Sequence, residues 1–373
     1  MDMVLCQLEV KDMIQKHLEN VSDPRQPWKI RHNLNEVIMM TICAVVAGCE
    51  AWYQIEHYCK SKEDWFKERL GLILEHGIAS HDTFERIFAM IDPKEMEVSF
   101  GLWIKSVVTL SKGETVSIDG KSICASADEE TRAIHMVSAW ANKQRLVLGQ
   151  IKTDDKSNEI KAVPKLLDML DVEDCVVTAD AMSCQKDIAR KITKKKANYV
   201  LGLKGNQNSL HEDVKLYFDH MEVSAKTTTR EKGHGRIETR EYFLEIEIDW
   251  LTQKSDWANL NAIGMVKSKV LEKEAFREET RYFITSLTDV KAFAKATREH
   301  WGIENSLHWV LDVAFNEDRC RMRKDNSGEN FAVIRHIALN LLKKDTSKMS
   351  LKAKRHRCAY DDDFLAHILF DDL

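Results

Sequence analysis

Thr115-Val-Ser-Ile-Asp-Gly-Lys121 is a short apolar, β-branched run that ends on a carboxylate, Asp119. Two more segments carry an acid in a comparable setting. Cys175-Val-Val-Thr-Ala-Asp-Ala181 closes a second such run on Asp180, and His300-Trp-Gly-Ile-Glu-Asn-Ser-Leu-His-Trp309 holds Glu304 in a helical pattern. A carboxylate at the end of an apolar run is costly to bury unless something neutralises it. Divalent metal is the obvious neutraliser. Three converging acids make the oxygen-rich cage in which Mg²⁺ keeps positions for water and phosphate oxygens, and such a site suits phosphodiester chemistry.

Outward from Asp119, residues 133–141 and 146–152 read as two more strands joined by the turn Asn142-Lys-Gln-Arg145, giving an antiparallel meander. A helix start follows at Ser157-Asn-Glu-Ile160, with Pro164 expected near its first turn. Strand 174–179, helix 185–195 and strand 199–203 complete the order β-β-β-α-β-α-β. Strands separated by helices must run parallel to the first. Asp119 and Asp180 are thereby expected side by side at strand ends, where open α/β sheets build sites. Residues 205–288 read as a β-rich insertion in which the helical pattern lapses, with strands at 237–248, 261–269 and 277–286. A helix then resumes through Phe293, Ala296 and His300 to about residue 313, with His300, Glu304, His308 and Asp312 recurring every four residues on one face.

Residues 1–95 read as helical. Asn33-Leu-Asn-Glu36 is a capping arrangement ahead of an apolar run, and Asp82-Thr-Phe-Glu85 repeats it before Phe84, Ile87, Phe88 and Ile91, a stripe that Pro93 ends. The domain expectation is therefore a helical, DNA-contacting or scaffolding unit over 1–95, an α/β core split into 96–204 and 289–345 around the 205–288 insertion, and a basic helical tail that turns acidic over 346–373.

A hydrophobic content of 44% with 31% charged residues is that of a soluble globular chain, long enough at 373 residues for more than one module. Nine Cys without a C-x-x-C pair argue against a disulfide framework or a zinc ribbon. The longest apolar run, Val37 to Cys49, is too short to span a membrane; a cytoplasmic protein, associated with the nucleoid when on DNA, is the expectation. Net charge is −5, but twelve Lys or Arg against three acids lie between Arg319 and Arg357. A second basic cluster runs from Lys186 to Lys204 with Asp187 as its one acid. Charge segregated in this way is what a phosphate-backbone footprint needs.

Together Ser117-Ile-Asp-Gly-Lys121, residues 149–160, Thr178-Ala-Asp-Ala-Met182, Lys204-Gly-Asn-Gln207, Gly233-His-Gly-Arg236 and His300 through Asp312 resemble the H-repeat-associated proteins, a bacterial group of insertion-sequence DDE transposases. Asp23-Pro-Arg-Gln-Pro-Trp28 and Ile334-Arg-His-Ile-Ala-Leu-Asn340 extend the likeness to nearly the whole chain. The resemblance implies an RNase H-like mixed sheet, with Asp119, Asp180 and Glu304 as catalytic, metal-binding triad. It implies two Mg²⁺ about 4 Å apart, with Mn²⁺ as a substitute. The implied partners are double-stranded DNA bearing terminal inverted repeats and a target DNA, met by a homodimer on DNA, with no membrane involved. Asp119, central in the sheet, is the natural bridge between the ions.

Weaker DNA-contact candidates are Lys121, Lys204, Arg236, His300, His308, Arg319, Arg321 and Arg323. His300 and His308 flank Glu304, but the H-E-x-x-H order of a zinc site is absent. Asn158 and Glu159 read as ordinary helix-start residues. In the wider superfamily the catalytic Glu follows a Tyr by seven and an Arg by four and precedes a Lys by seven. Thr297, His300 and Leu311 stand there instead, so those phosphate-gripping roles do not transfer. An inactive DNA-binding remnant and a stand-alone two-metal nuclease are the competing readings.

Overall fold

The computed structural model describes residues 14–127, 132–153, 159–223, 225–233, 236–272 and 275–370. Helices come first: α1 (Leu34–Val46), α2 (Trp52–Ser61), α3 (Glu63–Leu70), α4 (His81–Met90) and α5 (Pro93–Val107). Asn33 caps α1 as expected, its side chain accepting from the amides of Asn35 and Glu36. The second capping arrangement is displaced. Ser80 is the N-cap of α4, and Asp82 lies inside its first turn, where a carboxylate favours the helix dipole. Pro93 does not merely close α4; it opens α5, whose N-cap Asp92 accepts from the Lys94 amide. That helix runs through the 95/96 division.

Next come β1 (Thr115–Ile123), β2 (Ile134–Ala141), β3 (Leu146–Thr153), α6 (Glu159–Met169), β4 (Val176–Ala179), α7 (Lys186–Lys194) and β5 (Asn198–Leu203), in the expected order. Pro164 lies inside α6 rather than near its start, and Asn158 falls outside the described residues. The stretch from 205 to 288 differs more. It opens with a helix, α8 (Asn208–His220), whose Leu210, Val214 and Phe218 are buried at a spacing of four. It then holds β6 (Ala225–Gly233), which has no apolar alternation to announce it, followed by β7 (Arg236–Glu245), β8 (Ala262–Glu272) and β9 (Ala275–Thr285).

These strands form no sheet of their own. β9 pairs antiparallel with β5, so one mixed nine-stranded sheet runs β3-β2-β1-β4-β5-β9-β8-β7-β6. β1 is antiparallel to β2 and parallel to β4, and β4 is parallel to β5.

Successive strand residues point to opposite faces, and the core divides accordingly. Val116, Ile118, Val177 and Leu201 join the main core with Leu166 and Leu167 of α6 and Ile188 and Ile192 of α7. Val176 and Val200 pack instead with Phe293, Ala294 and Ala296 of α9 (Val290–Ile303). The sheet is thus covered on both sides. Burying a side chain the size of Phe293, which is 0% exposed, contributes roughly 1.5–3 kcal/mol.

Beyond α9 the chain makes a π-helical turn at Glu304–His308, then α10 (Trp309–Phe315), α11 (Ser327–Lys344), α12 (Leu351–Tyr360) and α13 (Asp362–Phe370). The C-terminal segment is not a solvated basic tail. Arg335, Lys354 and Arg355 are buried. Arg355 donates to the Val45 carbonyl of α1 at 3.0 Å, to Glu50 and to the Ala314 carbonyl. Arg355 thereby joins the C-terminal helices to the N-terminal ones, while Lys354 donates to the Leu342 and Asp345 carbonyls and the Arg335 guanidinium lies over the Phe331 ring. Among the described residues no helix is long and apolar enough to cross a membrane.

Candidate metal and nucleic-acid site

Two in-register neighbours begin the site. The parallel pairing of β1 with β4 ends at Ile118 and Ala179, so Asp119 and Asp180 are the next residues on adjacent strands. Asp119 is not at a strand end, however. β1 continues against β2 to Ile123, with Asp119 opposite Ser138. Ser117 and Thr178 lie two residues earlier on the same face. Their hydroxyls are 3.2 Å apart, and Thr178 Oγ1 is 3.0 Å from Nδ1 of His300, on α9. The acids therefore sit on the face that α9 covers. Asp180 then turns away, its Oδ1 accepting from the Ser183 amide at 3.2 Å. Gly202 of β5 allows that turn to pass: a Cβ there would lie 3.1 Å from the Ala181 nitrogen.

Glu304 enters at the break in the helix. A π-turn bonds i to i+5 and commonly marks functional positions. The wider turn keeps residues four apart on one face, and the expected alignment of His300, Glu304, His308 and Asp312 survives it. His308 Nδ1 is 3.6 Å from Asp119 Oδ2 and 3.5 Å from Glu304 Oε2. One ligand atom from each of Asp119, Glu304 and His308 falls within 4.8 Å of the others. Asp180 is outside that group and acts on it through charge. Burial pushes the Asp119 carboxyl up to about 7, and the neighbouring carboxylates of Asp180, Glu159 and Glu304 push the same way. Burial also brings His300 and His308 down to about 4. Glu304 itself is 61% exposed at its side chain.

Behind the acids lies a buried pair that local sequence reading missed. His135 Nε2 is 2.6 Å from Glu159 Oε1, and His135 Nδ1 is 2.8 Å from Ser122 Oγ. Gly120 makes room for it, since a Cβ there would lie 2.5 Å from Glu159 Oε1 and 2.6 Å from His135 Nε2. Glu159 had only the signature of a helix start; its partner is 24 residues away, beyond the reach of periodicity.

The weaker candidates fall in different places. Lys121 is 11% exposed at its side chain, with Nζ 2.7 Å from Asp312, 2.8 Å from Asp318 and 3.2 Å from Glu317. Although burial opposes its charge, those carboxylates hold its ammonium well above the usual lysine range. His300 is turned onto Thr178. Lys204, Arg319, Arg321 and Arg323 are exposed. Arg236 and Glu304 line one groove of about 510 Å³ between the faces of β7–β9 and α9. The groove also holds Arg240, Arg277, Arg281, Arg298 and Trp301, with the Arg281 guanidinium 4.3 Å from the indole. Glu238, Glu272 and Glu279 alternate with these arginines. His234 lies outside the described residues.

Comparison with known proteins supplies a family. A family model described as "Transposase DDE domain" matches residues 90–341, and one described as "DDE_Tnp_1-associated" matches residues 15–104. The protein named "H repeat-associated putative transposase YhhI" of Escherichia coli (strain K12) is 38% identical over 376 residues, covering 97% of this chain and 98% of that one. "Putative transposase YncI" of Escherichia coli O157:H7 is 40% identical over 366 residues, covering 95% and 93%. A cryo-EM structure of a piggyBac transposase synaptic complex with hairpin DNA covers 96% of this chain and 80% of its own, at 11% identity and a TM-score of 0.43, too low to carry an argument. The domain match and the near-full-length relatives agree with the motifs read from the sequence, and the chain belongs to the H-repeat-associated family of bacterial insertion-sequence DDE transposases.

Proposed function

We propose that this chain cuts DNA at the ends of an insertion sequence and joins the freed 3′-hydroxyls to target DNA by metal-dependent phosphoryl transfer. The observation that carries this reading is the meeting of acids from three distant segments. Asp119 and Asp180 follow the last paired residues of adjacent parallel strands, and Glu304 approaches Asp119 from the covering helix.

The residues fit a divalent cation. Burial, reinforced by the carboxylates of Asp180, Glu159 and Glu304, raises the Asp119 carboxyl to about 7, and the lysine two positions on, Lys121, is committed to Asp312, Glu317 and Asp318. Asp119, Glu304 and Nδ1 of His308 would hold one Mg²⁺ or Mn²⁺, with Asp180 and Asp119 holding a second. Bound ions of this kind supply charge neutralisation at the attacking and leaving oxygens of an in-line displacement.

The chain's own groups do the rest. Asp119 is fixed by its place within β1, and Asp180 by its bond from the Ser183 amide. His300 ties α9 to β4 through Thr178 and so sets the height at which Glu304 meets the sheet. Glu304 lines the arginine-bearing groove beside β7–β9, which gives a DNA strand an approach to the acids. On this reading β1–β5 are an RNase H-like core. The segment 205–288 is its insertion, and dimerisation on DNA brings two element ends together.

Incubating the purified chain with candidate terminal inverted repeats and Mg²⁺ tests the proposal. Joined products support a transposase, cut products alone a nuclease, and binding without products an inactive remnant.

A further inference from the structure

We infer that the N-terminal helices carry a second nucleic-acid contact, a groove that grips the phosphate backbone of duplex DNA away from the acids. The inference rests on the proposed DNA substrate and adds a place for it. The groove, of about 870 Å³, lies between residues 24–32 and α4. Its cationic residues are Arg25, Lys29, Arg31 and Arg86, joined by the neutral donors Gln26 and Thr83, and no carboxylate lines it. Arg25 is held by Asp23 at 2.5 Å. Lys29, Arg31 and Arg86 are exposed and, among the described residues, have no ion-pair partner.

The groove beside Glu304 provides the contrast, for there glutamates interleave with the arginines. In a chain of net charge −5, a lining of cations without acids is kept against the average and favours a polyanion. Amide and hydroxyl donors among exposed cations match the phosphate contacts that position a protein on DNA without reading sequence.

The groove is also connected to the acids. Lys324 Nζ is 3.7 Å from Glu85, the residue before Arg86 on α4. Arg323, next to it, donates to the Ala125 carbonyl at 2.9 Å, just past the end of β1. Arg319, Arg321, Arg323 and Lys324 are all exposed. The segment bearing these cations thus reaches from the end of β1 to α4.

The test is binding of the full chain to a labelled duplex of about 40 base pairs and arbitrary sequence, by anisotropy in EDTA across a salt series. The variant Lys29→Ala/Arg31→Ala/Arg86→Ala is compared with Lys161→Ala/Lys165→Ala/Lys215→Ala. The second removes the same charge from exposed lysines elsewhere. The groove variant is expected to lose about three units from the slope of log K against log salt, one per phosphate contact, and at least about tenfold in affinity. The control is expected to keep the wild-type slope, and both are expected to keep the wild-type melting midpoint. Equal slopes for the two variants overturn the inference, as does wild-type protein that retains polyglutamate in the groove in preference to duplex. If the groove variant binds like wild type while Asp119→Asn abolishes cleavage, the groove alone fails. Wild-type protein that neither binds nor cuts DNA refutes the function as well.

Discussion

β1–β5 are buried along most of their length, whereas β6 and the outer parts of β8 and β9 stand in solvent, although all belong to one sheet. The difference follows from what covers each half. Helices lie on both faces of β1–β5, so those strands read as continuous apolar runs. β8 and β9 are buried only where they approach β5, over Ala262–Val266 and Ile284–Thr285. Beyond that they carry alternating charges and serve as the wall of a groove. The inner half holds Asp119 and Asp180 in register, and the outer half offers surface.

The sharpest way to break this comparison is to remove one acid from the inner half. Asp119→Asn, Asp180→Asn and Glu304→Gln are each expected to lower strand cleavage by at least about 1000-fold while duplex binding stays within a few-fold of wild type. His308→Ala is expected to weaken Mn²⁺ binding, followed by titration calorimetry, by about tenfold or more. Arg277→Ala, on the groove wall, is expected to leave Mn²⁺ affinity unchanged. Cleavage near the wild-type rate in any of the three acid variants would separate the acids from the chemistry.

That contrast also explains what could be read before the structure. The order β-β-β-α-β-α-β was legible because the buried strands are short, largely apolar runs bounded by turn residues, and Asn33 because an N-cap is a local signal. The neighbourhood of Asp119 and Asp180 was legible because parallel strands joined through a helix leave few topologies. What escaped was non-local or mixed in signal. β6, Ala-Lys-Thr-Thr-Thr-Arg-Glu-Lys-Gly, has almost nothing apolar to mark it and is paired only through β7. α8 did carry a spacing of four, at Leu210, Val214 and Phe218, but strands follow it closely in sequence. The buried cations Arg335, Lys354 and Arg355 looked like surface charge because their partners come from α1, from residue 50 and from other C-terminal residues.

A methyl group probes the precision of the inner half. Gly120→Ala drives a Cβ to 2.5 Å from the Glu159 carboxylate and 2.6 Å from His135. It is expected to cost about 1–3 kcal/mol, the usual penalty of overpacking, by denaturant unfolding. Gly233→Ala, at the exposed end of β6 with nothing within 4 Å of its added Cβ, is expected to be close to neutral. Equal losses at the two positions would mean that the outer hairpin is packed as tightly as the core.

Proton linkage distinguishes the halves in another way. Glu97 of α5 is 5% exposed, and burial, reinforced by the Glu329 carboxylate, pushes it up to about 8. The fold therefore holds a proton that the unfolded chain releases near 4.5, the ordinary value. Stability from this group is complete below about 4.5 and is lost progressively as pH rises to about 8. Glu97→Gln removes the linkage. Its melting midpoint is expected to gain on wild type across that interval and to stop gaining above it; a constant gap from pH 4 to 9 would mean that Glu97 is ionised in the fold.

The smallest effect belongs to the outer hairpin. Lys226 of β6 meets Glu241 of β7 at 2.5 Å and sits 4.9 Å from the Phe243 ring, yet its side chain is 49% exposed. Solvent screens such a pair, and ordering a long side chain offsets much of the attraction, so Lys226→Ala is expected to change stability by at most about 1 kcal/mol. Because β6 is an edge strand whose backbone pairs with β7 and whose Glu231 is also bonded by Arg298 of α9, a larger loss would show that its charges, rather than its backbone pairing, keep the hairpin in place. In that case raising the salt concentration would reproduce the loss in the wild-type chain, since screening acts on charges and leaves backbone hydrogen bonds largely untouched.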